Sequence, residues 1–182
     1  MVCRITYHLN RIKLKTIIWL IFFLVFTFRT AGAQEFDAKL QIVFIYQITH
    51  YFQWPNDNSE TFIIGVIGQS PILNELQKLA AAKKINNKTI IIKQFDNSSS
   101  ISDCHILFIP YKESARIENI KKSIKGRHTM LISEKPGMAE KGTCINLVNI
   151  DGTMKFELNK SSCKSSGLRT TPMIEKLAII IK

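Results

Sequence analysis

Apolar residues crowd the stretch from Phe36 to Pro55, FDAKLQIVFIYQITHYFQWP, more densely than a single buried stripe requires. At 100° per residue Phe36, Leu40, Val43, Phe44, Ile48, Tyr51 and Trp54 cover one broad arc of a helix, and Ile45, Tyr46 and Phe52 carry apolar surface beyond it. One sheet face covers only one side of such a helix. The pattern predicts a leading helix whose surplus is covered by a partner or a twin subunit.

The period then changes. Phe62 to Gly68 is a continuous apolar run of strand length, suited to burial on both faces. Pro71 to Ala82 follows as a helix, with Ser70 before it as a cap and proline at its first position, and Thr89 to Phe95 is a second strand. The rhythm recurs in His105 to Ile109, Glu113 to Lys125 and Thr129 to Ser133, a second strand-helix-strand unit. Such alternation predicts a parallel sheet with right-handed crossovers. Beyond Pro136-Gly137, Cys144 to Ile150 and Met154 to Asn159 flank Asp151-Gly152, a strong hairpin signal because a primed turn needs positive φ. Lys160 to Ser166 reads as a short helix stopped by Gly167, and Pro172 to Ile181 as a last helix capped by Thr171. The expected fold is a single α/β domain. Its mixed, mostly parallel sheet has about six strands, two βαβ units plus a C-terminal hairpin, with helices on both faces.

The segment before this domain reads as an address. Arg4, Arg11, Lys13 and Lys15 form a basic region, Ile17 to Phe26 is unbroken apolar chain, and Ala31-Gly32-Ala33 fits the small-residue rule for cleavage before Gln34. Residues 1–33 are therefore expected to be a signal peptide and 34–182 the exported domain, placed in the periplasm. The charge shifts accordingly. The whole chain of 182 residues carries 25 basic against 14 acidic residues, or +11. Without the five basic residues of the leader the balance is 20 against 14, or +6. That modest surplus, with no interleaving of aromatic and basic residues, argues against a nucleic-acid partner.

Candidate chemistry is sparse. His50, His105 and His128 remain after the leader, and no HExxH or paired-cysteine spacing joins them. GxSxG, P-loop and GxGxxG patterns are all missing. No cofactor, metal or catalytic residue is assigned, and the domain is expected not to be an enzyme. The carboxyl ends of the parallel strands, at Gly68-Gln69-Ser70, Pro110-Tyr111-Lys112 and Ser133-Glu134-Lys135, offer a polar crevice for a small ligand, which is the alternative function.

Of the four cysteines, Cys3 lies in the leader, leaving Cys104, Cys144 and Cys163. With the hairpin turning at Asp151-Gly152, Cys144 falls roughly opposite Asn159, and Cys163 follows about one helical turn later. Cys144 and Cys163 are the candidate bridge, and Cys104 a packed free thiol.

Several segments together resemble a known family. They are Tyr51-Phe52-Gln53-Trp54-Pro55, Asp103-Cys104-His105-Ile106-Leu107-Phe108, Pro136-Gly137-Met138, Ile145-Asn146-Leu147 and Phe156-Glu157-Leu158-Asn159 with a later Gly167-Leu168. In this order and spacing they are similar to the YfiR family, from about Phe36 onward. The resemblance implies a periplasmic regulator, dimeric in the family's namesake, that holds a membrane diguanylate cyclase inactive through its periplasmic sensor part. It also implies redox influence through two disulfides, which three mature cysteines cannot both form. The family's breadth leaves room for another inner-membrane partner, such as a histidine kinase. The expectation is thus a non-enzymatic contact regulator and homodimer. Its candidate contact residues are Tyr46, His50, Tyr51 and Trp54, with Ile174, Leu177 and Ile181 of the last helix.

Overall fold

The computed structural model describes residues 31–55 and 58–181, with side chains from Ala38 onward. The predicted leader lies outside the described residues save for Ala31 to Ala33. Residues 38–182 cluster into one compact unit.

Helix α1 (Ala31–Thr49) stops well before Pro55. The Thr49 hydroxyl turns back onto the Tyr46 carbonyl at 2.7 Å, and Tyr51 N donates to Ile48 O. The expected continuation through Trp54 is corrected here, and the reason is tertiary. Phe52 and Gln53 form strand β1, paired antiparallel with β9 (Arg169–Thr170), and Phe52 is buried there at 2% exposure.

Next come β2 (Thr61–Ile67), α2 (Ile72–Ala82), β3 (Lys84–Ile85) and β4 (Lys88–Phe95). They are followed by β5 (Ile106–Ile109), a 3₁₀ turn over Tyr111–Arg116 running into α3 (Ile117–Ser123), and β6 (Met130–Ser133). The chain closes with β7 (Ile145–Ile150), β8 (Thr153–Asn159), α4 (Lys160–Ser165), β9, α5 (Pro172–Leu177) and β10 (Ile179–Ile181). The main sheet runs β10-β8-β7-β6-β5-β2-β4-β3. Its centre, β4-β2-β5-β6-β7, is parallel, β8 and β3 are antiparallel to their inner neighbours, and β10 is parallel to β8.

Both sheet faces are covered, which is why the central strands are apolar without alternation. On one face Ile64, Val66, Phe108, Ile132 and Leu158 meet Ile42, Ile45 and Ile48 of α1, Leu76 of α2 and Ile174 of α5. On the other, Ile67, Leu107, Ile109 and Leu131 meet Ile117, Ile120 and Ile124 of α3 and its flank. The hairpin turn takes φ of 51° at Asp151 and 76° at Gly152.

The two sheet edges lie beyond what periodicity predicts. β3 is two residues, and β10 takes the end of the segment read as helix, because α5 closes at Leu177. Thr171 sits at the N-cap of α5 without a capping hydrogen bond from its side chain, so its predicted cap is positional only. Pro71 takes the cap position, one residue after Ser70, whose hydroxyl still accepts from Ile72 N at 3.4 Å. Among the described residues no helix is long and apolar enough to cross a membrane.

Candidate functional site

The surface is built where α1 leaves the sheet. The β1–β9 pair and the bond from Thr171 N to Tyr51 O tie the end of α1 to the start of α5. The two helices then flank β8, whose Phe156 meets Phe44 edge to face at 6.4 Å. Between them lies an apolar groove of about 250 Å³, lined by Val43, Phe44, Gln47, Ile48, Tyr51, Phe156, Ile174 and Leu177. Its walls differ in depth. Ile174 is buried and anchors α5, whereas Val43 and Leu177 are 54% and 61% exposed on the rim.

The predicted contact residues do not share one surface. Tyr51, Ile174 and Leu177 meet at the groove. Tyr46 stands apart, stacked edge-on against His50 at 5.1 Å with its hydroxyl on the Lys84 carbonyl, and His50 is exposed just past α1. Trp54 packs edge-on against Phe62 at 5.0 Å and donates its indole N–H to the His105 carbonyl, contacts of a packed side chain. Ile181 belongs to β10 rather than to the last helix. Val43 was legible as part of the apolar arc, but Met173, Ile179 and Ile180, all exposed, carried no periodic signal.

A larger cavity, about 460 Å³, opens at the amino ends of β2, β5 and β6 among Trp54, Pro55, Ile63, Asp103, Cys104, His105, Arg127 and His128. Family-like segments distant in sequence, Trp54-Pro55 and Asp103-Cys104-His105, converge on it. His105 lies flat against Phe62 at 4.5 Å, and its Nδ1 accepts from Ile63 N, so its proton is on Nε2. His128 Nδ1 faces the Ser166 carbonyl at 3.0 Å and therefore carries its proton there. Arg127 is held by Asp103 at 3.2 Å and by the Ile101 carbonyl. Burial pushes the Cys104 thiol up to about 11, against a smaller opposing effect of Thr129. A thiol so raised is no nucleophile at neutral pH. Among the described residues no cluster of three His, Cys, Asp or Glu side chains is placed to hold a metal ion.

At the carboxyl ends of the parallel strands, where the crevice is expected, exposed side chains bridge neighbouring strands. Tyr111 N donates to Glu134 at 2.8 Å, Lys135 lies 5.1 Å above the Tyr111 ring, and Gln94 donates to the Gly68 carbonyl. A disulfide joins Cys144 to Cys163 with Cα atoms 4.9 Å apart, fastening α4 to the root of β7, and Cys104 is free and buried.

A YfiR/HmsC-like family model matches residues 38–179, so the chain belongs to that family. That membership is consistent with regulation rather than catalysis. No curated protein matches the chain. Among solved structures, a conserved domain protein from Vibrio cholerae O1 biovar El Tor is similar at 14% identity and a TM-score of 0.55. The match covers 80% of this chain and 60% of that one, and shows a shared fold.

Proposed function

We propose that this protein is an exported, non-enzymatic regulator that works by contact, restraining an inner-membrane signalling protein of the diguanylate cyclase class through its periplasmic sensor part, and that it does so as a homodimer. Family membership supports the class of partner. The observation that carries the contact surface is the groove between α1 and α5, whose apolar rim residues Val43 and Leu177 stay in water. A sensor segment with one apolar side chain projecting between the helices is the occupant this shape fits.

The test is co-expression with a membrane diguanylate cyclase from the same genome, reading intracellular cyclic di-GMP. The wild-type chain lowers the nucleotide, and Val43→Glu or Leu177→Glu restores it at unchanged protein level. Cyclic di-GMP indifferent to the wild-type chain for each such cyclase and sensor kinase overturns the reading. A second reading, a small-ligand sensor, draws on the cavity beside Trp54, His105 and His128. A ligand that raises the melting temperature by mass action, with the rise lost on narrowing the cavity by Ser59→Trp, supports it.

A further inference from the structure

The two edges of the main sheet are unlike. β3 is two residues long, carries the exposed Lys84 and turns back at once through Asn86 and Asn87, both at positive φ. Shortness and a lysine are the usual protection of an edge. β10 has neither. It is Ile179-Ile180-Ile181, with no proline, charge or bulge, and among the described residues nothing pairs with its outer side.

Apolar exposure is concentrated at that same edge. Of the eight exposed large hydrophobic residues among those described, two fall on β10, Ile179 and Ile180 at 37% and 43%, and two on α5 leading into it, Met173 and Leu177 at 55% and 61%. Together they leave on the order of 400 Å² in water, the size at which an apolar patch marks an interaction site. A stable interface buries about 800 Å² per partner and is a little more than half apolar. Four side chains at one edge thus supply the apolar half, and the strand backbone with its polar surroundings supplies the rest.

We propose that β10 is the seam between two copies of this chain, pairing antiparallel with its twin about a two-fold axis at Ile180 so that the two main sheets become one. This rests on the homodimer proposed above and adds its geometry. Antiparallel pairing of an edge with itself is self-complementary, as a two-fold interface requires. Ile180 then faces Ile180 of the twin, Ile179 faces Ile181, and the two α5 helices lie on the same side of the joined sheet. Leu177 borders both the seam and the groove between α1 and α5, so of the two groove variants only Val43→Glu leaves the seam untouched.

The test uses the exported chain purified from the periplasm. Cysteine at 180 should cross-link to itself, since paired Cα atoms across an antiparallel ladder stand about 4.5–5.5 Å apart, within the span of a disulfide. Under mild oxidation Ile180→Cys gives a covalent dimer as the main product, while Ile91→Cys, an exposed isoleucine on β4, stays monomeric. In sedimentation equilibrium Ile180→Lys weakens dimerisation at least tenfold, while its melting curve matches the wild type in solutions dilute enough for both chains to be monomeric. A dimer that survives Ile180→Lys and shows no cross-link at 180 overturns the seam while leaving the homodimer. A wild-type chain that is monomeric at about 100 µM overturns both, and the cyclic di-GMP assay then judges contact regulation separately.

Discussion

Ile42 and Val43 adjoin on α1 and face opposite environments, Ile42 being 6% exposed against the sheet and Val43 54% exposed at the groove. The inner side of the helix is Ala38, Ile42, Ile45, Ile48 and Thr49, at helical spacing. Ile45→Ala empties a site that is completely buried and is expected to cost about 2–5 kcal/mol. Val43→Glu keeps a good helix former in water and should change stability by less than about 0.5 kcal/mol. Urea denaturation of the two variants checks the pair. Equal losses would mean that α1 has no dry and wet sides.

Trp54 is expected to act through packing rather than through a partner. Its ring meets Phe62 edge-on at 5.0 Å, and its indole N–H satisfies the His105 carbonyl at the root of β5. Trp54→Ala should cost about 3–5 kcal/mol. Trp54→Phe, which keeps most of the apolar bulk and loses one hydrogen bond to a carbonyl that Met130 N still satisfies, should cost only about 0.5–1.5 kcal/mol. Chemical denaturation gives both numbers, and a Trp54→Ala chain as stable as the wild type but defective in partner contact would return this residue to the interface.

The Cys144–Cys163 bridge spans 19 positions and closes the hairpin onto α4. In the chain-entropy model a loop of this length stabilises by about 3 kcal/mol. Cys144→Ser with Cys163→Ser should lower the urea midpoint accordingly, and the wild-type chain should fall by the same amount in reductant. The mature chain unfolded without reductant should expose one alkylatable thiol, Cys104. Three such thiols would rule out the bridge.

The strand-helix rhythm was readable because each central strand is apolar on both faces and each break carries its own chemistry, as at Asp151-Gly152, where the backbone does take positive φ. The inner side of α1 was not readable. Val43, Phe44 and Leu40 compete with Ile42, Ile45 and Ile48 on equal terms of hydropathy, and only the position of the sheet selects the latter. β10 was hidden for a related reason. Three isoleucines suit the end of an amphipathic helix as well as a strand, and it is parallel pairing with Glu157, Leu158 and Asn159 that extends them. The groove has no sequence signature, since Val43, Phe156 and Leu177 come from three distant segments. The amino-end cavity was only half legible. Trp54-Pro55 and Asp103-Cys104-His105 stood out as family-like segments, but their meeting needs the β2–β5 pairing that sets Ile64 beside Ile106.

Cys104 makes stability depend on alkaline pH. Burial lifts its thiol from an ordinary 9.0 to about 11, so the folded chain holds a proton that the unfolded chain releases between these values. A group raised on folding contributes stability that is complete below its unfolded pKa and is lost as pH rises through the folded one, here across pH 9 to 11. Two units correspond to about 2–3 kcal/mol. Cys104→Ala lacks this proton, so its stability should fall less steeply between pH 8.5 and 11, although the smaller side chain costs about 1 kcal/mol at neutral pH beside Gly65, Phe95 and Leu107. Urea midpoints for both chains along a pH series decide the matter. Curves that stay parallel through pH 11 would place the thiol in water, and fast alkylation of the native protein at pH 8 would then accompany them.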